Sequence, residues 1–215
     1  MSTLTERLEQ CYTGAVYDVL RAHGYPNQVL PRDIKPLLDD KRLAGPVFTV
    51  EGKPCTDIGE HETLLEWTRM LTKAPSGHVV ICQPNDDEVA HMGELSSETF
   101  VYRGVLGYIV DGGARDTGFI SKLGFPLFYK YTTPADVVNK WVPTAYNETI
   151  TIGGVEINGG DYVLADIDGI VIIPGAVAEE IVTAVEECMQ TENKVRTAIL
   201  NGTDPDEAYL QYGKF

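Results

Sequence analysis

Arg115 and Asp116 stand side by side just after a glycine pair, Gly112-Gly113, within the glycine-rich residues 107–124. Tyr108-Ile109-Val110 predicts a short strand before the turn, and Phe119, Ile120 and Leu123 predict a helix after it. A guanidinium and a carboxylate together at the carboxyl end of a strand could hold an anion and a cation side by side. The plainer reading is a glycine turn in which Asp116 caps the helix and pairs with Arg115 on the surface. A second candidate lies upstream. Gly93-Glu94-Leu95-Ser96-Ser97 opens another predicted helix, and a helix start presents free backbone N–H groups to an anion.

Other chemistry-bearing groups read as structural. Asp86-Asp87-Glu88 fits a solvated acidic loop. Asp166 and Asp168 could ligate a metal, but an Asp-Gly turn between two strands accounts for them better. Cys11, Cys55, Cys82 and Cys188 show no CxxC spacing, which argues against structural zinc and for reduced thiols in a cytosolic protein. His23, His61, His78 and His91 form no HxxxH or HExxH pattern, so each reads first as structural or solvated.

Positioning the two candidate turns falls to an alternation of helices and strands. Thr3-Leu4-Thr5-Glu6 is a capping box, and the apolar spacing from Leu8 to Leu20 predicts one opening helix of about five turns, stopped at Gly24. A strand is predicted over residues 44–50 and a helix over 60–73. Val79-Val80-Ile81-Cys82 is a continuous apolar run of the kind a strand buried on both faces carries. The order strand, loop, helix, strand, loop, helix over residues 79–123 predicts a parallel βαβ unit, with both candidate turns at the carboxyl ends of neighbouring strands. A further strand is expected over 126–131, a long connection over 132–147, then short strands between glycine pairs. A long C-terminal helix over 176–201 and a last short helix close the chain.

The chain has 215 residues, 43% of them hydrophobic, enough for one domain over residues 1–215 with a real core. Its formal net charge of -15, without a basic cluster, argues against nucleic-acid binding. An anionic ligand would need a local arginine or a bound cation. No apolar run approaches the roughly 18–20 residues of a membrane span, and the N-terminus reads as a helix start rather than a signal peptide, so a cytoplasmic protein is expected.

Val110-Asp111-Gly112-Gly113-Ala114-Arg115-Asp116, with Gly124-Phe125-Pro126 after it, resembles the central signature of a family. That family includes class II 4-hydroxy-4-methyl-2-oxoglutarate / 4-carboxy-4-hydroxy-2-oxoadipate aldolases and the RraA-like regulators of RNase E activity. Residues 44–50, 92–95 and 160–169 resemble it too, in the family's order. Aldolase members carry an acidic residue, twenty intervening positions, then Arg-Asp. Here residues 95–114 separate Glu94 from Arg115-Asp116, so the spacing is met with Glu where Asp is frequent.

The resemblance implies a compact α/β/β sandwich-like fold, assembled as a homotrimer or hexamer. It implies that Asp116 anchors Mg²⁺ or Mn²⁺, directly or through water, and that Glu94 helps hold the waters. It further implies that Arg115 and the amides of Gly93, Glu94, Leu95 and Ser96 bind the pyruvyl end of substrate. Glu192, on the C-terminal helix of a neighbouring subunit, is the candidate for a further water-mediated acidic partner. The implied activity is retro-aldol cleavage of a 4-hydroxy-2-oxo (di)acid to pyruvate and a second oxo acid, with oxaloacetate decarboxylation as a side activity. The chemistry agrees: cleavage leaves the enolate of pyruvate, and without a Schiff-base lysine a divalent cation plus a guanidinium stabilises it. The alternative is a non-catalytic, protein-binding regulator.

Overall fold

The computed structural model describes residues 2–214. The capping box forms: Thr3 N–H donates to Glu6 Oε2 at 2.7 Å, and Glu6 N–H donates to Thr3 Oγ1 at 3.2 Å. The opening helix, however, is two helices, α1 (Leu4–Leu8) and α2 (Thr13–Ala22). Tyr12 is extended (φ -130°, ψ 153°) and offers no capping oxygen. Asp166 supplies it from elsewhere in the chain, accepting the Thr13 N–H at 2.9 Å and the Thr13 hydroxyl at 2.7 Å. A cap of this kind is worth about 1 kcal/mol. Asp166 is therefore a buried capping group, as a turn reading allows, and not an open metal ligand.

A brief strand β1 (Lys35–Pro36) precedes the longest strand, β2 (Leu43–Pro54), and the helix α3 (Glu60–Lys73). Then come β3 (Val79–Gln83), α4 (Glu94–Tyr102), β4 (Gly107–Val110), β5 (Gly113–Ala114) and α5 (Thr117–Leu123). The strand expected over 126–131 is interrupted at Lys130, giving β6 (Leu127–Tyr129) and β7 (Tyr131–Thr132), because β7 leaves the main sheet to pair with β5. The remaining elements are β8 (Trp141–Tyr146), the hairpin β9 (Ile150–Ile152) and β10 (Val155–Ile157), β11 (Tyr162–Asp166), β12 (Gly169–Ile173), α6 (Ala178–Leu200) and α7 (Pro205–Tyr212).

The main sheet runs β1-β6-β4-β3-β2-β11-β12. Strands β2, β3, β4 and β6 are mutually parallel, so the expected βαβ arrangement is present and continues through α5. Strands β11 and β12 form an antiparallel wing. Side chains alternate strictly across the parallel wing. Val80, Cys82, Tyr108 and Val110 pack beneath Met70 of α3, Phe100 of α4 and Ile120 of α5. Val79, Ile81 and Ile109 face the other way, onto Val163, Ile172 and the β9–β10 hairpin. The outer face of the antiparallel wing is covered by α1, α2 and α6. This is the expected α/β/β order, with an added outer helical layer. Among the described residues no helix is long and apolar enough to cross a membrane.

The connection expected over 132–147 contains a strand. β8 pairs antiparallel with the far half of β2, and its register shifts between Glu51 and Gly52. Pro143 is tolerated because β8 is bonded on one side only. Trp141 is fully buried and lies over Gly52, where a Cβ would sit 1.9 Å from its ring, so this crossing requires glycine. The indole N–H donates to Pro84 O at 2.8 Å, tying β8 to the loop that leads into α4.

Candidate active site

Two loops at the carboxyl ends of β3 and β4 are stitched together edge to edge. His91 N–H donates to Gly113 O at 2.8 Å, Arg115 N–H to Met92 O at 2.9 Å, and Glu94 N–H to Asp116 Oδ2 at 3.2 Å. The contact is tight enough to exclude side chains. A Cβ on Gly113 would lie 2.6 Å from Val89 O, and one on Gly93 would lie 2.8 Å from Asp116 Oδ2. Glycine at these positions lets the two turns meet.

Asp116 occupies the N-cap position of α5 but does not cap it with its side chain. Its backbone is left-handed (φ 56°, ψ 27°), and that turn aims the carboxylate at the start of α4. The plainer reading of Asp116 as a helix cap is thereby set aside. Arg115 has a carboxylate on each flank: Nε is 3.5 Å from Asp116 Oδ2, and Nη1 is 3.2 Å from Asp136 Oδ2. Asp136 is fixed in turn by the Val138 N–H, 3.1 Å from its Oδ1. These side chains are 38–43% exposed, where ion pairs contribute about 0–1 kcal/mol. A non-glycine residue in the left-handed region costs a similar amount or more. The cluster is thus a poor stabilising device.

Gly93, Glu94, Leu95, Ser96, Arg115 and Asp116 all line one cleft of about 180 Å³, walled by Leu64, Trp67, Met92 and Val137. Trp67 N–H donates to Ser96 Oγ at 2.9 Å, anchoring the first turn of α4 against α3. The Leu95 and Ser96 amides have no acceptor among the described residues, so this turn keeps its anion-binding capacity. Glu192 does not line this cleft. It sits on α6, bonded to Tyr12 Oη and 3.5 Å from Lys214 Nζ.

Asp136 was not singled out by sequence reasoning, because it falls in the segment expected to be a plain connection. The Thr-Thr-Pro-Ala-Asp run before Val137 is the turn signal that could have marked it. The acidic loop also differs from expectation. Asp87 and Glu88 are exposed, but the Asp86 side chain is 7% exposed and accepts the Glu88 and Val89 amides at 3.1 and 3.0 Å. Behind it, His91 is fully buried, its ring edge-on to Trp141 at 5.0 Å. His91 Nε2 is 3.3 Å from Asp86 Oδ2 but poorly aligned, so neither ring nitrogen is hydrogen-bonded. Burial lowers the imidazole's pKa, and the Asp86 charge opposes it only in part.

Among the described residues no three His, Cys, Asp or Glu side chains gather as a ligand cluster. The cleft offers oxygen donors alone, from Glu94, Asp116 and Asp136. Neither Lys122 nor Lys130, the nearest lysines along the chain, lines it. The Lys130 side chain is engaged elsewhere. Its ammonium lies 2.5 Å from Asp111 Oδ1 and 3.5 Å from Asp33 Oδ2. Partial burial alone would lower its pKa, but the bond to Asp111 prevails and raises it. Lys130 is a committed cation and not an amine nucleophile.

This fold and this site define a member of the RraA-like family. The family model described as Aldolase/RraA matches residues 13–172, and the chain belongs to that family. It is 26% identical over 213 residues to Protein DlpA of Legionella pneumophila, covering 99% of this chain and 34% of DlpA, so it spans about a third of that relative. It is 28% identical over 182 residues to a candidate 4-hydroxy-4-methyl-2-oxoglutarate aldolase of Halalkalibacterium halodurans, covering 85% of this chain and 83% of that one. Among solved structures, Streptomyces coelicolor RraAS2, described as an unusual member of the RNase ES inhibitor RraA family, superposes with a TM-score of 0.81. It shares 27% identity and covers 90% of this chain and 96% of its own. A structure described under novel cellulases from gut-associated microbes gives a TM-score of 0.83 at 37% identity, covering 89% of this chain and 86% of that one.

Proposed function

We propose that this protein is a divalent-metal-dependent lyase. It cleaves 4-hydroxy-2-oxo acids between C3 and C4, releasing pyruvate and a second carbonyl product, and it decarboxylates oxaloacetate through the same enolate. The observation that carries this reading is the meeting of Arg115 and Asp116 with the first turn of α4, through the Asp116 Oδ2 to Glu94 N–H bond of 3.2 Å.

Arg115 and the Leu95 and Ser96 amides bind the carboxylate and 2-oxo oxygen. Asp136 and Asp116 hold the guanidinium in one orientation, so little reorganisation accompanies charge development on the C2 oxygen. Trp67, Leu64, Met92 and Val137 exclude water from the apolar side of the cleft. Asp116, with Glu94 beside it, would hold Mg²⁺ or Mn²⁺. One or two carboxylates without His or Cys suit a hard ion that keeps most of its water, and do not suit zinc. When bound, the cation supplies Lewis-acid stabilisation of the enolate oxygen. No lysine lines the cleft among the described residues, which supports a metal-dependent route over a Schiff base.

The test is pyruvate release from several 4-hydroxy-2-oxo acids and from oxaloacetate, with and without Mg²⁺. Cleavage undiminished by EDTA, or by Arg115→Ala and Asp116→Gly, would falsify the reading. The likeness to RraAS2 favours a second one, a non-catalytic regulator binding a ribonuclease. A stoichiometric ribonuclease partner together with no turnover on any oxo acid would establish it. A cellulase reading finds less support. Glycoside cleavage needs two carboxylates free to flank a sugar bond, whereas Asp116 and Asp136 both engage one guanidinium.

A further inference from the structure

His91 packs directly against the turn that carries Arg115 and Asp116. Its ring is fully buried, and a Cβ on Gly112 would lie 2.8 Å from its Nδ1. A Cβ on Gly113 would lie 2.5 Å from Tyr131 Cε2. The Gly112-Gly113 turn is therefore packed against an imidazole and a phenol, in gaps that admit no side chain. The backbone is stitched at the same place. His91 N–H donates to Gly113 O at 2.8 Å, Lys130 N–H to Gly112 O at 2.9 Å, and Arg115 N–H to Met92 O at 2.9 Å.

An imidazole is a costly filler for such a gap, because neither ring nitrogen has a hydrogen-bond partner. Asp86, in the loop after β3, is the charged group facing it, with Oδ2 3.3 Å from Nε2. Pro84 of the same loop, Gly112 and Trp141 of β8 present no ionisable group. Tyr131 of β7 donates its hydroxyl to Val89 O, and burial, reinforced by the Asp86 charge, raises its phenol so that it stays neutral. Neutral His91 can turn an Nε2–H toward Asp86 and leave Nδ1 bare against Gly112. A protonated ring carries a second N–H there, with no acceptor and in a fully buried position. That is unfavourable, and burial accordingly brings the imidazole's pKa down to about 4.

We propose that the Asp86–His91 contact is an acid-sensitive clamp on the turn that carries Arg115 and Asp116. With His91 neutral, the loops after β3 and β4 stay stitched edge to edge. A proton on the ring drives it out from against Gly112 into water, and the bonds from His91 to Gly113 and from Arg115 to Met92 part. Arg115 and the first turn of α4 then no longer converge on one anion, so the cleft loses its ligand in acid. This regulation rests on the reading of the Arg115–Asp116 cleft as the functional site, but the clamp itself lies wholly within one chain and is measured without turnover.

The experiment is native-state hydrogen exchange of the full chain at single-residue resolution, at pH 7 and pH 5, corrected for the intrinsic pH dependence of exchange. The opened loop carries an ordinary histidine with a pKa of about 6.5, so opening is linked to proton uptake below that pH. Protection of the Arg115 amide should fall about twentyfold between pH 7 and 5 in the wild type, and should not fall in His91→Gln. Asp86→Asn keeps the imidazole and removes the carboxylate, so it should retain the fall. An equal fall in His91→Gln overturns the proposal. So does its loss in Asp86→Asn, which would make Asp86 the titrating group. The Tyr108 amide of β4, bonded to Pro126 O at 3.0 Å, is the internal reference. If Arg115 exchanges no faster than Tyr108, the turn opens only when the whole core unfolds, and the clamp is again overturned. A clamp that behaves as expected in a protein that cleaves no oxo acid leaves this inference standing and removes only the catalytic reading.

Discussion

The Asp116 carboxylate accepts the backbone N–H of Glu94 at 3.2 Å, joining residues 22 positions apart. That bond makes the two turns one site, and it gives Asp116 two jobs that substitution can separate. Asp116→Asn keeps an acceptor oxygen and loses the charge. It should fold with nearly unchanged stability, show no thermal shift on adding Mg²⁺ or Mn²⁺, and lose activity by about 10²–10³-fold. Asp116→Ala must keep a left-handed backbone with a Cβ, so it should be about 1 kcal/mol less stable than Asp116→Gly, which is equally inactive. Thermal melts of the three variants with and without metal check this.

Gly93→Ala places a methyl group 2.8 Å from Asp116 Oδ2 and 3.3 Å from the Arg115 side chain. Both groups are partly exposed and can move aside, so the protein should fold. Displacing the reacting groups by such an amount should cost about 10²-fold in kcat/KM. A variant with wild-type kinetics would show that the close approach is not needed.

His91 provides a pH signature. Burial holds its folded-state pKa below the usual value of about 6.5, so on acidification the unfolded chain takes up the proton first. The stability that neutral His91 maintains is therefore complete above about pH 6.5 and is lost below it, until the folded pKa is reached. Asp86 is the charged group facing the ring, and Trp141 and Gly112 close the other sides. Between pH 7 and 5 the wild-type Tm should fall by a few degrees more than that of His91→Gln, measured by calorimetry.

The proposed role of Glu192 across a subunit boundary can be tested directly. Its carboxylate is bound by Tyr12 and Lys214 of the same chain, so Glu192→Gln should lower Tm whatever else it does. Acting across a subunit boundary, it would also reduce activity, and co-assembly with Arg115→Ala protomers should restore turnover that neither variant shows alone. Folding defects do not complement in this way, so a mixture without recovered activity removes Glu192 from the site.

Much of this arrangement was legible in the residues, and the gaps have physical causes. The apolar run Val79–Cys82 announced a strand buried on both faces, and α3 fell on its expected limits because Gly59 and the Ala74-Pro75 step bound it. Periodicity over Leu8–Leu20 could not reveal the break between α1 and α2, since the deciding contact is with Asp166, far along the chain. β8 was hidden because Pro143 reads as a loop residue wherever edge and centre cannot be told apart. Asp136 went unseen because it lies in the loop before β8, in a segment read as a plain connection. The glycine turn singled out Arg115 and Asp116, and the helix start with the family spacing added Glu94, whereas the buried Asp86–His91 contact depends on Trp141 folding back over Gly52. No local pattern announces that.

The division of the interior into separate apolar clusters bears on how the molecule breathes. Arg115 and Asp116 are carried by the β4–α5 turn over the core beneath α3, α4 and α5, while α1, α2 and α6 close a different core against β11 and β12. In native-state hydrogen exchange these should behave as distinct cooperative units. The outer helices can open and reclose while the Arg115 amide, bonded to Met92 O, stays protected, so the geometry of the candidate site should survive fluctuations that open α1, α2 and α6.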